Sequence, residues 1–242
     1  MAGHSHWAKI KRKKAVTDAR RGRLWSKLAR NIIVAARRGA NPDDNLTLRY
    51  AIDAARAENV PNDTIDKAIK KGSGELGGVD YVPIVYEGYG GGGVAVLVEA
   101  LTDNPTRTAG EIRGAFDRHG GNLGSTNCVA WMFKSVGVFV IAAADTSEDA
   151  LMELAIDAGA SDVVNHGEVF EVTCEPSVYE QVRKALSGKG LKPQSCEITR
   201  IADTTVTLDG DRARQVGDLV EALEENEDVQ KVHTNLGLAA EG

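Results

Sequence analysis

GVFVIAAADTSEDALMELAIDAGASDVVNHGEVFEVTCEPSVYEQVRKALSGKGLKPQSCEITRI, residues 137–201, is the stretch that decides how this chain folds. It opens with GVFVIAA, an apolar and β-branched run that reads as a strand. TSEDALMELAIDAG follows as a helix, opened by Thr146 with Asp149 three residues on, an acidic variant of the capping box. DVVNHGEVFEVTCE then supplies two strands around His166-Gly167, and SVYEQVRKALSG a second helix. EITRIADTTVTL (197–208) reads as one last strand. The order βαββαβ is the ferredoxin-like arrangement.

Working outward, PIVYEGY and VAVLVEAL read as strands flanking a glycine-rich turn. RTAGEIRGAFDRHGG is a helix with Ile112 and Phe116 inward and Gly120-Gly121 as its stop, and VAWMF (129–133) is another strand. Residues 80–133 therefore read ββαβ, which lacks a closing helix and strand. Beyond residue 208, RARQVGDLVEALEEN and VQKVHTNL offer those two elements. We expect one α+β domain built from 80–133 plus 209–238, with 134–208 inserted into it.

GSGELGGVD (72–80) reads as a linker, and residues 18–72 before it as helical. Leu24, Leu28, Ile32 and Ala35 make an apolar stripe that stops near Gly39. ANPDDN supplies the next start, with Asn41 as N-cap and Pro42 at the first helical position. Leu48, Ile52 and Ala55 mark the second helix, and VPND (60–63) starts a third that carries Ile65 and Ile69 and closes at Gly72. The expected fold is α+β in three domains: a basic arm and helical bundle over 1–76, the split domain, and the inserted ferredoxin-like one.

A content of 42% hydrophobic and 26% charged residues suits a protein that buries cores. VGVFVIAAA (136–144) falls short of the roughly 20 residues that span a bilayer, so no membrane role is expected. The opening is basic, like a mitochondrial transit peptide, yet it is not Ser-rich and runs straight into a helix. A cytoplasmic protein is the expectation. Cys128, Cys174 and Cys196 are odd in number and widely spaced, so they are read as reduced core thiols.

No catalytic constellation stands out. GYGGGG (88–93) fits G-x-G-x-x-G, but a dinucleotide site needs a helix after the glycines and a strand follows here. A hairpin turn is the plainer reading. His4 and His6 do not complete a zinc site, and Ala2-Gly3-His4, freed of Met1, would suit square-planar Cu(II) or Ni(II) without implying a role. His119, His166 and His233 are read as structural or surface groups, and Glu224, Glu225, Glu227 and Asp228 as a solvated helix end. No enzyme activity, metal or cofactor is expected.

The charge distribution is the informative feature. Residues 1–38 hold 12 of the 29 Lys and Arg and one acid, Asp18, so that segment is +11 and the other 204 residues are −17. Such asymmetry points to a polyanionic partner. The candidate nucleic-acid contacts are His4, His6, Trp7, Lys9, Lys11, Arg12, Lys13, Lys14, Arg20, Arg21, Arg23, Lys27, Arg30, Arg37 and Arg38. Lys and Arg at this density contact phosphate mainly, giving affinity and salt dependence with little sequence choice. Trp7 could stack on a base or pack on the bundle. The charge does not separate DNA from ribosomal RNA, and it leaves open an acidic protein as the partner; oligomeric state is not legible.

MAGHSHWAKIKRKKAVTDARRGRLWSKLARNIIVAAR, VPNDTIDKAIKKGSGE, VYEGYGGGGVAVLVEALTDN, RTAGEIRGAFDRHGGNLG and DVQKVHTN together resemble the YebC/PmpR family over essentially the whole chain. The resemblance implies a three-domain α+β protein, cytoplasmic in bacteria, described as a DNA-binding transcriptional regulator. It also implies a second possibility, because the family includes a mitochondrial translational activator and members linked to ribosomes stalled on proline-rich chains. The departures are His6 for Lys, Lys9 for Asn, Arg12 for His, and Gly91 for a common Pro. Total basicity is kept or raised.

Overall fold

The computed structural model describes residues 18–77 and 80–237, with side chains from residue 21 on. Within these residues, 18–129 and 210–232 form one compact unit, and 130–209 with 233–237 form another. The architecture is α+β, with helices at the N-terminal end and antiparallel sheets after them.

The first unit begins with three helices, α1 (Asp18–Ala36), α2 (Leu46–Ala57) and α3 (Asn62–Gly72). Ile32, Ile33, Ala35 and Ala36 meet Leu48, Ile52, Ala55, Val60, Ile65 and Ala68 in one core. The apolar stripe is shifted from its expected place, for Leu24 is 36% exposed while Trp25, Leu28 and Ala29 pack on that core. Trp25 goes inward because its indole N–H finds the Glu58 carbonyl at 3.0 Å, which satisfies the one polar atom of the ring.

The second helix is not capped by Asn41. Asn41 instead closes a turn, accepting the Asp43 N–H at 3.0 Å, and the cap is Asn45. Asn45 is buried and uses both ends of its amide. Its oxygen accepts the Leu48 N–H at 3.1 Å, and its nitrogen donates to the Ala35 and Gly39 carbonyls at 2.8 Å each. One side chain thus satisfies the start of α2 and the end of α1, against about 1 kcal/mol for an ordinary N-cap. Gly72 ends α3 against α1, where a Cβ would lie 2.3 Å from the Ile33 carbonyl oxygen.

The same unit continues with β1 (Val82–Tyr89), β2 (Ala95–Thr102), α4 (Pro105–Arg118) and β3 (Asn122–Leu123). After the second unit, α7 (Gly210–Glu225) and β9 (Val229–Thr234) complete a sheet of order β3-β1-β2-β9. The glycine run is the β1–β2 hairpin tip, with Gly92 and Gly93 at φ 69° and 75°, and no helix follows it. Gly88 is demanded by packing, since a Cβ there would sit 2.5 Å from the Asn122 carbonyl.

The expected strand over 129–133 is not formed. Ala130–Met132 is a 3-10 turn, and Asn122–Leu123 is the strand that joins the sheet. The cause is Glu87, a buried carboxylate that accepts the N–H groups of Asn127 at 2.7 Å and Val129 at 2.8 Å. Those bonds hold the segment as a loop.

The second unit contains β4 (Phe133–Ala142), α5 (Glu148–Asp157), β5 (Ala160–Asn165), β6 (Val169–Cys174), α6 (Tyr179–Gly188) and β7 (Ser195–Ala202). The antiparallel order β5-β6-β4-β7 is that of a ferredoxin-like sheet. Phe139 and Tyr179 stack at 4.7 Å, and a Cβ at Gly137 would meet the Tyr179 ring at 2.5 Å. Ser147, not Thr146, caps α5, its hydroxyl accepting the Ala150 N–H. The run 197–208 breaks after Ala202, and β8 (Val206–Thr207) pairs instead with β10 (Leu236–Gly237) in parallel. Only Cys174 is a core thiol; Cys128 is half-buried and Cys196 exposed.

Candidate nucleic-acid interface

His4, His6, Trp7, Lys9, Lys11, Arg12, Lys13 and Lys14 lie outside the described residues. Arg20 falls in the first turn of α1, and Arg21 follows with its side chain exposed. The remaining candidates, Arg23, Lys27, Arg30, Arg37 and Arg38, are displayed by α1 and its C-terminal end.

Arg23, Lys27 and Arg30 recur at helical spacing, so they share one flank of α1. That flank meets the acidic end of α7. Lys27 Nζ donates to the Glu224 carbonyl, and Arg23 Nη2 lies 3.7 Å from Glu225 Oε1. Arg30 donates to the Glu227 carbonyl and to Asp228 Oδ1 at 2.8 Å, with Glu227 Oε2 at 3.6 Å. Its guanidinium also sits 5.3 Å from the centre of the Tyr81 ring. The cluster Glu224–Asp228 is therefore not a solvated helix end. It is the surface on which the basic helix docks.

Asp228 is the centre of that contact, with its side chain only 4% exposed. Oδ1 takes Arg30, while Oδ2 takes Arg107 Nη2 at 2.7 Å and the hydroxyls of Thr108 at 2.6 Å and Thr102 at 3.1 Å. Burial by itself would push this carboxyl up. The donors from Thr108, Arg107 and Thr102 outweigh burial and hold it below the usual carboxylate value. The same contact raises Arg107, through its hydrogen bonds to Asp228 first and Asp103 second. Two arginines and two hydroxyls thus compensate one buried charge, as such a charge requires.

Arg37 is engaged as well, with Nη2 3.1 Å from Asp80 and Nη1 donating to the Tyr81 carbonyl at 2.9 Å. Arg38 is exposed and carries no ion pair among the described residues. The sequence reading missed Asp228 because its partners at 102, 107 and 108 lie more than a hundred residues away along the chain. The one local signal is NPTRT (104–108), where Asn104 caps α4 and so aims Arg107 and Thr108 from its first turn.

An α+β chain with an Arg- and Lys-rich helical bundle joined to antiparallel sheets is the class that these features define. The TACO1/YebC protein N-terminal domain matches residues 5–75, and the TACO1/YebC second and third domain matches residues 81–236. The chain belongs to this family. It is 51% identical over 238 residues to a "Probable transcriptional regulatory protein" of Pelotomaculum thermopropionicum, covering 97% of this chain and 98% of that one. A protein of the same name from Geobacter sulfurreducens is 47% identical, covering 100% and 98%. The crystal structure of a conserved hypothetical protein from Aquifex aeolicus superposes with a TM-score of 0.87 at 45% identity, covering 98% of each chain. Among the described residues, no helix is long and apolar enough to cross a membrane.

Proposed function

We propose that this chain is a non-enzymatic regulator of gene expression that binds nucleic acid in the cytoplasm, acting as a DNA-binding transcriptional regulatory protein. The observation that carries this reading is the +11 charge of residues 1–38 on a chain of net charge −6. The names of its relatives support the regulatory part. Phosphate contacts come from Lys9, Lys11, Arg12, Lys13 and Lys14, with Arg38 just past the end of α1. The −17 elsewhere repels a polyanion, so contact concentrates where positive charge is locally in excess, the basic end above all.

A translational role on ribosomal RNA is the second reading, and one observation favours it. The outward positions of α2 and α3 include Asp53, Asp63 and Asp66, acids that would face phosphates or base edges if either helix lay in a major groove. Contact through shape and phosphates suits structured RNA. Crosslinking in living cells, followed by sequencing of the bound nucleic acid, separates the two. Discrete promoter DNA supports the transcriptional reading, ribosomal RNA the translational one, and the absence of both refutes nucleic-acid binding.

A further inference from the structure

α1 has two ends with different electrostatic fates. Along the flank near Arg23, Lys27 and Arg30, the cations are already matched by the acidic end of α7. At its C-terminal end Gly72 brings the last turn of α3 against Ile33 and Ala36. That turn carries Lys70 and Lys71, and Lys67 lies one turn earlier on the same outward face. Their alignment follows from the opposite face, where Ile65 and Ala68 are buried in the bundle core. Lys67, Lys70, Lys71 and Arg38, two residues past the Ala36 that Gly72 meets, are all exposed, and none has an ion pair among the described residues.

We propose that Lys67, Lys70 and Lys71, with Arg38, form a phosphate-contacting surface for the backbone of a DNA duplex. This rests on the nucleic-acid reading above and extends it to residues outside the 1–38 segment. Asp63 and Asp66 share the helix, one turn before Lys67 and Lys70, but neither pairs with them, so no strong contact must break before phosphate binds. The lysines sit in the last turn and a half, with each acid one turn nearer the helix start, and touch the backbone from outside a groove. The surface stands at the far end of α1 from residue 18, where the basic arm joins. Nineteen helical residues span about 28 Å, or roughly eight base pairs of duplex.

The test compares two variants of the full chain that lose the same charge. Lys67→Ala/Lys70→Ala/Lys71→Ala removes the surface, and Lys184→Ala/Lys189→Ala/Lys192→Ala removes three lysines of the second unit. Affinity is measured against salt with a DNA duplex of about 20 base pairs and with an RNA hairpin of similar stem length. The first variant is expected to lower the slope of log affinity on log salt by about 0.7–0.9 for each phosphate no longer neutralised, and the second to leave it unchanged. A slope lowered on the RNA hairpin alone overturns DNA as the occupant. Equal behaviour of the two variants overturns the surface while leaving the nucleic-acid reading intact. A wild-type chain that binds neither probe overturns both.

Discussion

Arg30 and Asp228 stand 198 positions apart in the sequence, and their side chains meet at 2.8 Å. The guanidinium comes from the middle of α1 and the carboxylate from the turn between α7 and β9, so one ion pair joins the helical bundle to the sheet of the first unit. A basic helix that reads as a polyanion-binding face is, along that flank, a packing surface.

Breaking this pair should unfold more than it unbinds. Arg30→Ala leaves a buried carboxylate short of one of its two cations, with Arg107 and two hydroxyls still in place, and is expected to destabilise the first unit by about 1.5–3 kcal/mol. Arg23→Ala, whose partner Glu225 is half exposed at 3.7 Å, should cost less than about 1 kcal/mol. Urea unfolding of both variants checks the contrast. Equal losses would mean that burial of Asp228 is not what holds the bundle.

The depressed carboxyl of Asp228 also sets a pH dependence. Its folded value lies below the unfolded value of about 3.9, so its contribution is full above that pH and is lost as pH falls through the folded value. Asp228→Asn should therefore be markedly less stable than the wild type at pH 7, and the gap should narrow between about pH 4 and pH 2. Thermal melts across that range measure it. A gap that stays constant would show that ionisation is not what stabilises the site.

On the binding side, replacing Lys11, Arg12, Lys13 and Lys14 by Ala should flatten the salt dependence of nucleic-acid affinity, by about 0.7–0.9 for each phosphate that these side chains neutralise. Circular dichroism should be that of the wild type, because these four precede every core described above. An unchanged slope would mean that these side chains do not touch phosphate.

The thiols should separate by accessibility. Cys196 is exposed and should react first with an alkylating reagent under native conditions. Cys128 should follow slowly, its thiol raised by burial and by Glu87, and Cys174, raised by burial and by Glu175, should react only on unfolding. Mass spectrometry of a timed reaction reads the order.

The division proposed from the sequence is open to a direct check. Residues 134–208, expressed alone, should give a cooperative melt and dispersed amide signals, since among the described residues β4, β5, β6 and β7 pair only with one another. The short β8 would lose β10, a small loss beside a complete four-stranded sheet. A molten fragment would reject those boundaries.

Much of the fold was legible because its signals are local. The βαββαβ order follows from alternating periods of two and 3.6, and the hairpin at 88–93 from glycines followed by β-branched residues. Where local signals compete, they misled. Asn41-Pro42 is the stronger helix start by composition, yet Asn45 takes the cap because only from there does one amide also reach the carbonyls of Ala35 and Gly39. VAWMF has strand composition, yet the carboxylate of Glu87, about forty residues earlier, holds its approach as a loop.

The sequence by itself determined the class of the elements, their order and the concentration of positive charge in residues 1–38, because periodicity, turn chemistry and charge are carried by neighbours along the chain. Only the tertiary structure decided which cations are spent inside the molecule. Arg23, Lys27, Arg30 and Arg37 find acids or carbonyls brought from residues 80–81 and 224–228, while Arg38, Lys67, Lys70 and Lys71 do not. A charge is recorded in the sequence at its own position. Its partner is fixed only when folding brings a distant one within a few ångströms and shuts out the water that would otherwise screen it.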